Sequence, residues 1–144
     1  MENNFDRAVD WLIDWETAGG KKMRVLDKDG RTLCGVCAKF FPEWVNTWWN
    51  KPDAEIVAAA KKFYFDNFWV PTGCEVAAEK FDVFSFDCSV NQGVALGKQI
   101  AICNSGWAAF ALRVEAYVTA EEKRKNNELP GWLNRIVAVW RELL

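Results

Sequence analysis

The sequence predicts a mainly α-helical chain with one small β-hairpin in its N-terminal third. Three observations carry this. Apolar residues recur at three- and four-residue spacing over several long stretches. The span TAGGKKMRVLDKDGRTLCG, with four glycines and short Val/Leu pieces around a turn, is the one place where a small sheet fits. Half the residues are apolar and a quarter are charged, the balance of a folding globular chain. A length of 144 residues suits one hydrophobic core, so a single domain over 1–144 is expected.

The elements follow in order. Phe5, Ala8, Val9, Leu12 and Ile13 form the apolar stripe of a first helix ending near Trp15, with Asp6, Asp10 and Asp14 on another face. The hairpin then turns at Lys28, Asp29 and Gly30. Pro52 and Asp53 open a helix carrying Val57, Ala60, Phe63, Tyr64 and Phe68, expected to stop before Pro71 and Gly73. A long apolar segment runs from about Glu79 to Cys103, where Asn104, Ser105 and Gly106 signal a turn. A helix from Trp107 to about Arg124 follows. Pro130 and Gly131 open the last, striped by Leu133, Ile136, Val137, Trp140 and Leu144. Gly93 and Gly97 are read as sites of close helix packing, and Trp107, Trp132 and Trp140 as core residues.

Composition excludes several functions. A net charge of −2 without a Lys/Arg block disfavours nucleic-acid binding. The nearest cluster, Lys123, Arg124 and Lys125, has the look of a solvated helix end. No apolar run reaches membrane-spanning length, and the opening MENNFDRAVDWLID lacks the basic and apolar regions of a secretory signal. Cys34, Cys37, Cys74, Cys88 and Cys103 are odd in number, so free thiols are expected. Cys34 and Cys37 form a CxxC, but Cys74 and Cys88 lack the spacing of a second zinc knuckle, and no metal or other cofactor is expected. The chain has no His. Chemistry therefore falls to carboxylates, hydroxyls, amides or thiols.

Glu16 is the carboxylate that stands out. At roughly 100° per residue it lies near the bearing of Phe5, Val9 and Leu12, so it points along the buried stripe while the three aspartates face away. Burial of an ionisable carboxyl is costly unless it is paired or protonated, and a protonated carboxyl is what a glycosidic general acid requires. Pairing with Lys21, Lys22 or Arg24 is the rival explanation. Asp87 and Asn91 stand one helical turn apart on an otherwise apolar segment. Nine Trp, ten Phe and two Tyr exceed what a core of this size needs and can serve as platforms for sugar rings. Trp48 and Trp49, beside Asn50 and Pro52, are expected to be partly exposed.

The fragments DWETAGG, DKDGRTLCGV, FYFDNFW, DCSVNQG and PGWLNRI, in that order, resemble glycoside hydrolase family 108, lysozyme-like N-acetylmuramidases found as phage endolysins. The resemblance implies a lysozyme-like domain, with 1–70 as the catalytic helix and hairpin region and 71–144 as a region like the family's peptidoglycan-binding segment. It also implies cleavage of the β-1,4 bond between N-acetylmuramic acid and N-acetylglucosamine. Glu16 matches the catalytic Glu, and Gly30, Thr32 and Gly35 match the GxTxxG turn. Where members read EGGY, this chain has Glu16, Thr17, Ala18, Gly19 and Gly20 with no Tyr following. Phage lysozymes more generally place an early Glu before an Asp and a Thr, which implies water positioning by Thr32 and by Asp27 or its rival Asp29. Asp87, Asn91, Tyr64, Trp69 and Trp49 are the expected substrate contacts. The expected partner is the glycan strand of peptidoglycan, met by a monomer released from the host cytoplasm at lysis. A peptidoglycan-binding module without catalysis and a helical interaction protein are the competing roles.

Overall fold

A computed structural model describes residues 4–28, 30–77, 81–124 and 127–143. The chain is mainly α-helical with one small antiparallel sheet, as the sequence predicts. It forms two compact units: Val9–Asp66, and Met1–Ala8 with Asn67–Leu144.

Helix α1, Phe5–Thr17, begins in the second of these and ends in the first. Its end is built by side chain and backbone together. Thr17 Oγ1 donates to Ile13 O at 2.7 Å and accepts from Gly20 N at 3.0 Å. Ala18, Gly19 and Gly20 then take three successive left-handed conformations, with φ of 51°, 68° and 80°. Glycine adopts these freely and alanine does not, so the turn depends on the two glycines that follow Ala18.

Within Val9–Asp66, strands β1 (Arg24–Asp27), β2 (Gly30–Leu33) and β3 (Val36–Cys37) form an antiparallel sheet in that order. Asp27 pairs with Gly30, and Thr32 pairs with Val25 on one side and Cys37 on the other. The first two strands are the expected hairpin; the third is an addition. Helix α2 (Pro42–Trp48) is a second addition, started by Pro42 in its first turn, where proline's missing N–H is harmless. Helix α3 (Asp53–Tyr64) follows. Val9, Leu12, Leu33, Val36, Val45, Ile56, Ala60 and Tyr64 are buried in this unit. Phe63 meets Phe41 and Trp44 edge-on or tilted at 4.8 and 5.0 Å.

The helical path does not stop before Pro71. A π-helical stretch, Phe65–Trp69, widens the coil by one residue, and helix α4, Val70–Thr72, starts afresh with Pro71 in its first turn. The stop falls at Gly73, whose φ is 81°.

In the unit containing Asn67–Leu144, a 3₁₀ turn at Cys74–Val76 leads to helices α5 (Phe81–Gln92), α6 (Val94–Ala101), α7 (Gly106–Arg124) and α8 (Leu129–Leu143). Helix α5 is the axis of the unit: every residue from Asp82 to Ser89 is buried, and it touches α6, α7 and α8. Phe5, Trp69 and Phe86 form an edge-to-face aromatic cluster beside it.

Two sequence expectations need correction here. The long apolar segment holds two helices, α5 and α6, because Gly93, at φ 98° and ψ 151°, breaks it; Gly93 is a turn residue, while Gly97 is the packing glycine. A Cβ on Gly97 would stand 2.8 Å from Ser89 Cβ and 2.9 Å from Ser85 O. Nor are the three tryptophans core residues. Trp107 is 78% exposed and stacks on Phe110, Trp140 is 39% exposed, and Trp132 is half-buried against Tyr117. Helical spacing assigned them to the core, but spacing along α7 and α8 does not show how far neighbouring side chains cover each ring.

Candidate active site

Glu16 lies in the last turn of α1 and is half-buried. Its stem rests on the turn between β2 and β3. Gly35 in that turn has φ 81°, and a Cβ built there would stand 2.8 Å from Glu16 Cγ, 2.9 Å from Glu16 Cβ and 2.6 Å from Tyr64 Oη. Real atoms do not approach so closely, so any side chain here would have to push Glu16 or Tyr64 aside. The preceding residue, Cys34, is fully buried at φ 51°, a left-handed conformation that costs a non-glycine residue energy. The hydrogen bonds around it retain that shape: Cys34 N donates to Met23 O at 2.8 Å, and Tyr64 Oη donates to Cys34 O at 3.0 Å. Burial pushes the Cys34 thiol up to about 12, and the negative charges of Glu16 and Asp53 add to the shift.

Two arginines fasten the hairpin. Arg24 on β1 donates through Nε to Trp49 O at 2.8 Å and through Nη2 to Lys51 O at 2.7 Å. Its Nη1 pairs with Asp53 at 2.6 Å. Arg24, one of the cations considered as a partner for Glu16, is thus engaged elsewhere. Arg31 on β2 bonds Asn46 Oδ1 and lies over the Trp49 ring at 5.2 Å. Asp27 is exposed at the end of β1, and Thr32 is half-buried on the central strand. Asp29 lies outside the described residues.

Of the aromatic candidates, Trp49 is half-buried beneath Arg31, while Tyr64 and Trp69 are each 1% exposed. Neither of the last two presents a ring face to a ligand. In the other unit, Asp87 is likewise buried, held between two arginines. Arg135 donates to its Oδ1 from Nε at 2.9 Å and Nη2 at 2.8 Å. Arg113 Nη2 stands 2.8 Å from Oδ2, at ion-pair distance but off the hydrogen-bonding line. Burial alone would raise the Asp87 carboxyl, but Arg135 and Arg113 outweigh it and hold it below the usual range. Asn91 is exposed, and its Nδ2 donates to Asp87 O at 3.0 Å. It borders a cavity of about 270 Å³ lined also by Tyr117, Arg124, Glu128 and Trp132.

Sequence reasoning missed Arg31, the hairpin-fastening role of Arg24 and the Glu16–Gly35 contact. The arginines bond to backbone carbonyls and to an exposed Asn, none of which has a sequence signature. Gly35 was legible as a turn residue, but not as the seat of Glu16.

The family model for glycosyl hydrolase 108 matches residues 9–93, more than half of the chain. The chain belongs to glycosyl hydrolase family 108. Comparison with curated proteins and with solved structures found no match. The matched stretch of this family-108 chain spans the whole Val9–Asp66 unit and continues through α5 to the break at Gly93. The chain is thus a glycoside hydrolase with a glycan as its substrate. No helix among the described residues is long and apolar enough to cross a membrane.

Proposed function

We propose that this family-108 chain is an N-acetylmuramidase that cleaves peptidoglycan strands as a phage or prophage endolysin, with Glu16 as its general acid. The observation that carries the reading is the seat of Glu16: a carboxylate at a helix end, half-buried and packed against the glycine of the GxTxxG turn. A reacting proton donor needs a fixed position and partial shelter from water, and family membership supplies the glycan.

In the proposed reaction Glu16 protonates the bridging oxygen as its bond to C1 of N-acetylmuramic acid breaks, releasing the 4-hydroxyl of N-acetylglucosamine. Water attacks C1 from the opposite face and yields its proton to an aspartate, Asp27 or its rival Asp29, with Thr32 helping to orient it. Of the substrate contacts that the resemblance implies, Trp49 and Asn91 keep accessible surface, each in its own unit.

Glu16→Gln keeps the shape and cannot donate the proton. It is expected to fold normally and lose nearly all clearance of permeabilised bacteria; retention of about a tenth of the activity, only tenfold down, would remove Glu16 from this role. Thr32→Val and one of the two changes Asp27→Asn and Asp29→Asn are expected to lower kcat with little change in KM. Wild-type turnover in Asp27→Asn, Asp29→Asn and Thr32→Val would refute the water-holding part. Mass spectrometry of digested sacculi tests the bond cleaved: reducing N-acetylmuramic acid is expected, and reducing N-acetylglucosamine or anhydro ends would overturn the muramidase reading.

The departure from EGGY at Thr17 and Ala18 favours one rival, a peptidoglycan-binding module without catalysis. Binding of the wild-type chain to sacculi with no products released would establish that role instead.

A further inference from the structure

We infer that Tyr64 and Gly35 are positioning residues for Glu16, an assignment that rests on the reading of Glu16 as the acid. Three buried or half-buried groups converge on one point. The place a Gly35 side chain would occupy is already filled, 2.6 Å away by the Tyr64 hydroxyl and 2.8 Å away by Glu16 Cγ. The Tyr64 hydroxyl also donates to Cys34 O, and so fixes the peptide that joins the strained Cys34 to Gly35. Tyr64 is held in turn by burial and by the edge of Phe63 at 5.6 Å. A rigid aromatic on α3 therefore clamps the β2–β3 turn, and the turn walls one side of the Glu16 stem. The tyrosine needs no contact with the sugar, which accords with its 1% exposure.

The chemistry makes such a wall useful. A general acid must meet the leaving oxygen at hydrogen-bond distance, and a displacement of about 1 Å can cost on the order of 100-fold in rate. Substrate binding, spread over other contacts, should be affected far less. The signature of the clamp is thus a loss in kcat with KM preserved. A tyrosine that served only folding would lower the amount of active enzyme and leave the turnover of the folded fraction unchanged.

The test uses the full chain with soluble glycan strands as substrate. Rates are normalised to the folded fraction by circular dichroism, at a temperature where each variant is folded. Tyr64→Phe is expected to lower kcat by roughly 10-fold or more with KM within about twofold of wild type, a loss of interaction at the reacting centre alone. Gly35→Ala pushes on the same contact from the turn side and is expected to do likewise. The two changes should be strongly non-additive, because removing the hydroxyl clears the nearest atom that the new methyl would strike. The double variant should lose no more than Gly35→Ala alone. Full additivity, or wild-type kcat in either folded single variant while Glu16→Gln is inactive, overturns the inference. An active Glu16→Gln would instead overturn the reading on which it rests, so the two failures are told apart. Should Tyr64→Phe fail to fold, Gly35→Ala alone decides.

Discussion

Removing the charge of Asp87 should destabilise the chain rather than weaken its grip on substrate. Its side chain is 2% exposed, those of Arg113 and Arg135 are 0% and 8% exposed, and its oxygens meet both guanidinium groups within 2.9 Å. Asp87→Asn preserves the volume but leaves two buried cations facing a neutral amide. Breaking a buried ion pair by removing one partner costs about 3–5 kcal/mol. For a chain of this size each kcal/mol shifts the melting midpoint by roughly 4 °C, so a fall of about 12–20 °C is expected. Thermal unfolding followed by circular dichroism measures it. The pH dependence has a definite sign. The folded carboxyl is held below its unfolded value, so its contribution is complete above about pH 4 and is lost as the pH falls further. The gap between wild type and variant should therefore be flat from neutral pH to about 5 and narrow below 4. A variant melting within about 3 °C of wild type, less than 1 kcal/mol, would refute this account. A raised KM with unchanged stability would mark Asp87 as a ligand contact instead.

Two further outcomes follow from packing and exposure. Gly97→Ala should cost about 1–3 kcal/mol because the new methyl meets the α5 backbone, whereas Gly106→Ala should stay within about 0.5 kcal/mol. The latter meets only the ring end of Trp140, which is 39% exposed and can swing aside; urea unfolding separates the two, and equal losses would refute the distinction. Alkylation of the native chain at pH 8 should modify Cys37 and Cys103 well before Cys34, Cys74 and Cys88, which are buried. Burial also pushes Cys34 and Cys88 up to about 12 and raises Cys74. Peptide mapping showing early modification of Cys34 would contradict the described turn.

Much of the fold was legible because α1 and α8 each keep an apolar stripe beside a solvated face, and that contrast is what periodicity detects. Helix α5 has no such contrast. With Asp82 through Ser89 all buried, its pattern merges into that of α6, and only the backbone angles of Gly93 reveal the break. PEWVNTW makes two turns, too few for a period to emerge, and β3 is two residues long. The half-burial of Glu16 was legible from its bearing on α1, whereas its contact with Gly35 joins elements whose approach no local pattern encodes. Tyr64 and Asp87 illustrate the limit from the other side. A motif marks a residue as constrained, but an aromatic ring or a carboxylate can be constrained by burial as firmly as by a ligand.

Among the described residues, β1 and β3 are the margins of the small sheet, and each is ill-suited to recruit another chain. Unpaired strand margins are templates for self-association unless they are short or charged. Strand β3 offers two residues, and β1 offers four, with Arg24 and Asp27 flanking Val25 and the exposed Leu26. Asp27, one of the two aspartates proposed to act on water, thus also puts a charge on this margin. Replacing both flanking charges with valine would leave an uninterrupted apolar ribbon, and light scattering of such a variant should rise with concentration where that of the wild-type chain stays flat.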